Sequence, residues 1–285
     1  MSVKAVVRAA RRDRRGGGTC DRGADVTPGI ARPVLPRHHL LDSYLDAYTV
    51  PTLLDDVEAA AATGEQWLIA NHNVNSLSLM QRNPDFRGFF TRADRIFLDG
   101  VGALMVAKVA GARLRREHRV AVLDWIWPLC ARAEERGWSL VHVGGTGAGL
   151  ARARQAIHNR HPALDLTTVD GFFDAEDEDQ VTGVLAEISR ARPTVLLVGM
   201  GMPRQELWLD RHLDDLPPAV IITVGGVLSF VGGERPTPPR WLGRLGIEWL
   251  YRLVTEPRRL WRRYLVEPVH LLPVVAQEVR KRLRR

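Results

Sequence analysis

Six short apolar runs, each of strand length, recur along the middle of this chain with amphipathic stretches between most of them. The runs are Gln66–Ala70, Arg95–Asp99, Ser139–Gly144, Leu164–Val169, Thr194–Gly199 and Ala219–Val224. Helical periodicity fills 52–63, 122–136, 148–160, 178–191 and 203–213. Regular alternation of this kind predicts an α/β fold, a parallel sheet with helices on both faces. Several runs end in glycine or a polar residue, and ligands of such sheets bind beyond the carboxyl ends of the strands. The strand ends are therefore where chemistry is expected.

Charge divides the chain differently. The net charge is +7 over 285 residues, but residues 1–38 carry +6 and residues 234–285 carry +8, which leaves −7 for the middle. A nucleic-acid-binding body would carry positive charge on its folded surface, so the acidic middle argues against that class. Basic flanks suit an anionic membrane surface. No apolar run is long enough to cross a bilayer, and the arginine-rich start is not followed by the apolar segment of a secretory signal. Cys20 and Cys130 make neither a disulfide framework nor a metal cluster, which fits a reducing cytoplasm.

Three regions are expected: a disordered basic tail over 1–37, an α/β domain over 38–239 and a helical appendage over 240–285. In the appendage Trp241, Trp249, Tyr251, Trp261 and Tyr264 interleave with arginines, and Pro257 and Pro268 divide it into two or three helices. A basic, aromatic-rich amphipathic element can lie in a bilayer interface. The alternative is a helix packed on the core with a solvated arginine face. Self-association into a homo-oligomer is a further way to cover its apolar surface.

Four strand ends carry candidate chemistry. Asp99 closes the run RIFLD, where it could act as a general base or cap the helix starting near Val101. Gly144-Gly145-Thr146-Gly147-Ala148-Gly149 opens a helix, and its backbone N–H groups suit a diphosphate, although it is neither a P-loop nor a dinucleotide fingerprint. Gly199-Met200-Gly201-Met202-Pro203-Arg204-Gln205-Glu206 is a second strand-to-helix junction, with Gln205 placed to hydrogen-bond a sugar or phosphate. Val224 to Phe230, including Ser229, completes a nucleotide crevice. The Asp177-Glu178-Asp179 triplet has the Asp-x-Asp form of some metal sites, but leads into a helix whose positive N-terminus favours carboxylates. No histidine shows zinc-site spacing.

Taken together, ADRIFLDGVG (93–102), HRVAVLD (118–124), LVHVGGTGAG (140–149), DGFF (170–173), LLVGMGMPRQELW (196–208) and GIEWLYRLVTEPRRLWRRYL (246–265) resemble the WecG/TagA/CpsF family of bacterial glycosyltransferases. The blocks keep the family's order over about residues 50 to 265. The resemblance implies a Rossmann-like fold and an inverting transfer that requires no metal or other cofactor. It implies a UDP-sugar donor and a sugar acceptor carried on polyprenyl diphosphate, during synthesis of a cell-surface polysaccharide at the inner face of the membrane. It places the catalytic aspartate on Asp99, a strand-end asparagine on Asn73, the donor-contacting glutamine on Gln205 and a catalytic arginine on Arg119. It also carries Arg252, Arg259 and Arg262 over the active site. With Gly144, Gly145, Gly147 and the departures below, these form the candidate site.

Two departures stand out. The family's Thr-x-Asn reads Asn71-His72-Asn73, and its Phe-Asp reads Leu228-Ser229. The second removes a carboxylate that the resemblance puts near the uracil. These changes put the donor's identity in question. They also leave room for a rival, a non-catalytic nucleotide-sugar-binding protein on the same fold.

Overall fold

All six expected strands form in the computed structural model, which describes residues 32–283. The chain enters through an antiparallel hairpin, β1 (Arg37–Leu40) and β2 (Ser43–Asp46). It continues through α1 (Val50–Thr63), β3 (Trp67–His72), α2 (Val74–Arg82), α3 (Pro84–Arg92), β4 (Arg95–Leu98) and α4 (Val101–Val109). Next come α5 (Val122–Arg136), β5 (Ser139–Val143), α6 (Gly147–Arg160), β6 (Asp165–Val169) and α7 (Glu178–Ala191). The sheet ends with β7 (Val195–Val198), α8 (Arg204–His212), β8 (Val220–Thr223) and the short α9 (Val227–Val231). The last part is helical: α10 (Arg240–Leu245), α11 (Glu248–Thr255), α12 (Pro257–Trp261), a π turn over Arg262–Val266 and α13 (Glu267–Leu283).

The six strands β3 to β8 are all parallel, in the order β4-β3-β8-β7-β5-β6. After β4 the chain crosses from one edge to the other side of the sheet, and this reversal opens a crevice at the carboxyl ends of the central strands. Successive side chains point to opposite faces. Ile69, Leu140, Leu197 and Ile222 therefore pack against Leu53, Trp125 and Leu150 of α1, α5 and α6. Leu68, Val141, Leu196 and Ile221 meet Phe86, Phe89, Val184 and Trp208 of α3, α7 and α8. Fully buried side chains such as Phe86 and Phe89 each stabilise the fold by on the order of 2 kcal/mol.

Local signals set the helix ends. Thr49 and Thr52 form a capping box at α1, and Gly64 closes that helix in the left-handed region at φ 63°. Asn73 and Ser76 do the same at the start of α2. Asp177 accepts from the backbone N–H groups of Asp179 and Gln180, so the acidic triplet opens α7 as a cap. These hydrogen bonds hold the Asp177 carboxyl below its ordinary range.

A third apolar cluster joins the hairpin to α2, α4 and the end of the chain through Leu40, Leu45, Leu77, Leu104 and Leu271. Through it α13 packs on α2 and α4, across more than 150 residues of sequence. Most of the expected tail (residues 1–31) lies outside the described residues. The rest of it belongs to the body: β1 opens at Arg37, and Arg32 donates to the fully buried Asp56 at 2.7 Å while stacking 3.4 Å over Trp67. Tyr48 donates to the other Asp56 oxygen. No described helix is long and apolar enough to cross a membrane.

Candidate active site

The floor of the crevice is built where three glycines let backbones touch. A Cβ on Gly144 would lie 2.5 Å from the Gly199 carbonyl group, and one on Gly171 would lie 2.4 Å from the Gly144 Cα. Gly199 in turn has no room beside the His142 ring, whose Nε2 would sit 2.5 Å from a Cβ. The ends of β5, β6 and β7 thus abut main chain to main chain. Gly145 reaches the crevice wall, whereas Gly144 is buried in the floor and Gly147 is exposed at the start of α6, outside the lining. The glycine run shapes the bed, and only part of it faces the cavity.

Gln205 sits at the centre of this bed, fully buried. Its Oε1 accepts from the backbone N–H groups of Gly201 and Gly225, both at 3.2 Å, and its Nε2 donates to Glu206 at 2.7 Å. The side chain expected to meet the donor is therefore engaged in tying the loops after β7 and β8 together. Asn71 does similar work between β3 and β8, donating to the Thr223 carbonyl at 3.0 Å. Its Oδ1 is buried and has no hydrogen-bond partner among the described residues, while the residue lines the crevice. Asn73 caps α2 and lies 3.6 Å from the Met202 sulfur. His72, between them, turns away to Ser43 and Ser76. His142 lines the crevice floor, and neither ring nitrogen has a hydrogen-bond partner among the described residues. Burial pushes both imidazoles down to about 3, so each is neutral.

Asp99 stands at the end of β4, its backbone N–H donating to the His72 carbonyl at 2.8 Å. Gly100, at φ 91°, occupies the cap position of α4, so Asp99 stands one residue before the cap. Asp99 lines two cavities. One is the polar crevice, about 320 Å³, which it shares with Asn71, Gln205, Ser229 and the cations described next. The other, about 520 Å³, opens between α4 and the C-terminal helices and is walled by apolar side chains.

Three guanidinium groups border the crevice. Arg252 and Arg259 were expected from the sequence; Arg235 was not, because it lies in the proline-rich ERPTPP stretch that has no period. Arg252 and Arg235 lie 4.9 and 5.9 Å from the centre of the Phe230 ring. Burial, then the neighbouring Arg259, lowers the pKa of Arg235, with Arg252 adding to the repulsion. Burial also works against the charge of Arg252, but Glu248, Tyr264 and Asp99 outweigh it and hold that guanidinium above its ordinary value. Glu256 partly balances the cluster, at 2.6 Å from Arg259 and 4.0 Å from Arg235. Concentrated cations of this kind suit a diphosphate.

Two expected arginines fall elsewhere. Arg119 is held at 2.7 Å by Asp124 and 3.7 Å by Glu248, and it lines the second cavity rather than the crevice. Arg262 is exposed, its guanidinium 5.4 Å from the neighbouring Trp261 ring, and belongs to neither cavity lining. Among the described residues no group of three or more His, Cys, Asp or Glu side chains could hold a metal ion.

A parallel sheet with a cationic crevice at its switch point is the layout of a Rossmann-like ligand-binding fold, here with one carboxylate, Asp99, in the crevice lining. A family model described as the glycosyl transferase WecG/TagA/CpsF family matches residues 38–285. The chain belongs to that family and is a glycosyltransferase. It is 28% identical over 197 residues to an N-acetylglucosaminyldiphosphoundecaprenol N-acetyl-beta-D-mannosaminyltransferase of Bacillus spizizenii, covering 69% of this chain and 74% of that protein. Proteins of the same name from Bacillus subtilis and Staphylococcus aureus are 28% and 27% identical. They cover 70% and 68% of this chain, and 76% and 78% of their own lengths.

Proposed function

We propose that this protein moves a sugar, N-acetylmannosamine or a close relative, from a UDP-sugar to a sugar carried on polyprenyl diphosphate. The observation that carries this reading is the position of Asp99, at the boundary between a cationic crevice and an apolar cavity. The names of the relatives supply the two substrates: an N-acetylmannosaminyl group and an N-acetylglucosaminyldiphosphoundecaprenol acceptor.

In this mechanism the donor lies in the crevice with its diphosphate against Arg235, Arg252 and Arg259. The Asp99 carboxylate takes the proton of the acceptor hydroxyl as its oxygen attacks the anomeric carbon, while the bond to the diphosphate breaks on the opposite face. Attack opposite the leaving group inverts the anomeric configuration. Negative charge develops on the departing UDP, and fixed guanidinium groups can stabilise it without a metal ion. We place the protein peripherally on the inner membrane face, because exposed Trp241, Leu245, Val254 and Leu265 accompany the basic C-terminal helices.

The test is UDP release from a panel of UDP-sugars, with and without a polyprenyl-diphosphate-linked N-acetylglucosamine acceptor. Acceptor-dependent release with one donor supports the reading and names the sugar. UDP binding without release across the panel would instead support a non-catalytic nucleotide-sugar binder.

A further inference from the structure

The second cavity is larger than the donor crevice and different in kind. One wall is α4, through Val101, Met105, Val106 and Val109, and the other is the C-terminal segment, through Trp249, Leu271, Leu272 and Val275. Asn73, Asp99, Arg252 and Tyr264 line both this cavity and the crevice, so the two meet at polar groups, and Arg119 lines this cavity as well. Its rim is apolar yet open to solvent, with Met105 63%, Val109 54% and Leu272 65% exposed. Exposed Val266 and Val269 lie on the same C-terminal segment. A cavity of about 520 Å³ with apolar walls and a polar end is of the size and type that holds a small amphiphile.

We infer that this cavity binds the prenyl chain of the acceptor, taking up the isoprene units nearest the diphosphate while the acceptor sugar sits at Asp99. This rests on the acceptor proposed above and adds where its lipid goes. Three features choose this occupant. The cavity is continuous with the catalytic carboxylate, so a molecule filling it is covalently near the reacting hydroxyl. Arg119 and Arg252 line the cavity, Arg252 beside Asp99 on the side shared with the crevice, where a diphosphate joined to an apolar chain would need a cation. The apolar wall runs outward to an exposed apolar rim, so a chain too long for the cavity can continue into a bilayer. A free sugar would leave this wall wet, and an inorganic diphosphate would leave it empty.

Lipid recognition inside the protein separates from simple membrane attachment in a bilayer-free assay. The full-length protein is titrated calorimetrically with inorganic diphosphate and with prenyl diphosphates of one to four isoprene units, all below their micelle concentrations. Affinity should rise by at least about tenfold per added unit while apolar surface is being buried, then level off once the cavity is full. Met105→Asp and Leu272→Asp at the exposed rim, and Val106→Trp inside, should each flatten that rise. The two rim variants leave the core untouched and keep the test valid if Val106→Trp fails to fold. Equal affinity for all chain lengths, or a rise that the variants leave intact, would overturn the inference. Sugar transfer to acceptors carrying one or three isoprene units then separates the two claims. Transfer at equal kcat/KM to both preserves the proposed function and sinks the prenyl site. Graded prenyl binding with no transfer under any donor sinks the function and preserves a prenyl-diphosphate site.

Discussion

The amide nitrogen of Asn71 donates to the main-chain carbonyl of Thr223 at 3.0 Å, joining the carboxyl ends of β3 and β8 beneath the crevice. Asn71, which stands where the resemblance puts a threonine, is thus a brace between strands, and its second polar atom, Oδ1, is buried in the crevice lining. Removing the brace in Asn71→Ala should lower stability by about 1–2 kcal/mol, the cost of an unpaired buried carbonyl. Asn71→Asp should be worse, because a carboxylate cannot donate to Thr223 and would be charged and buried. Urea midpoints for the three proteins at neutral pH rank them.

Asp99 should be needed for turnover and not for binding. Asp99→Asn keeps the shape and removes the base, so kcat should fall about 10²–10⁴-fold. UDP affinity should change little by comparison. Measuring release kinetics and UDP binding on the same preparation checks both; activity retained by the variant would move the base elsewhere.

Arg235 offers the opposite pattern. Its charge is disfavoured by burial and by Arg259 and Arg252, so in the unliganded protein it is held against repulsion. Arg235→Ala should leave the melting temperature unchanged or slightly higher, while UDP affinity falls about 10–100-fold through loss of a charge-assisted contact. Loss of stability and affinity in parallel would mark Arg235 as structural only.

His72 and His142 make the fold acid-sensitive. Both are buried and neutral, with folded-state values of about 3 against an ordinary 6.5. The unfolded chain therefore binds more protons between those limits. Stability should be full above pH 6.5 and decline as the pH falls toward 3, by roughly 1.4 kcal/mol per pH unit for each histidine. Urea midpoints from pH 7 to pH 5 measure the slope. Replacing His142 by Gln should reduce it, and a slope unchanged by that substitution would assign the effect to other groups.

The sheet was legible because its signals are local. Short apolar runs, glycine after the strand and long amphipathic stretches each lie within one window of sequence, and the five expected helices form with ends shifted by at most two residues. The β1–β2 hairpin escaped because its four-residue strands, RHHL and SYLD, carry no clean alternation. The placement of Asp99 at the crevice edge followed from its strand end. Gln205 could not be read in the same way: its sequence position is that of a ligand contact, and only the fold shows Gly201 and Gly225 occupying its oxygen. Arg235 and the second cavity depend on packing between distant segments, which no window contains.

The two walls of that cavity have a consequence for biosynthesis. Residues 101–109 leave the ribosome long before residues 267–283 are made. A nascent chain can assemble the sheet and its glycine-lined floor, yet it has no enclosed place for a prenyl group until α13 docks. A copy whose translation stops after residue 266 would keep every residue that lines the crevice and lack Leu271, Leu272 and Val275 of the apolar wall.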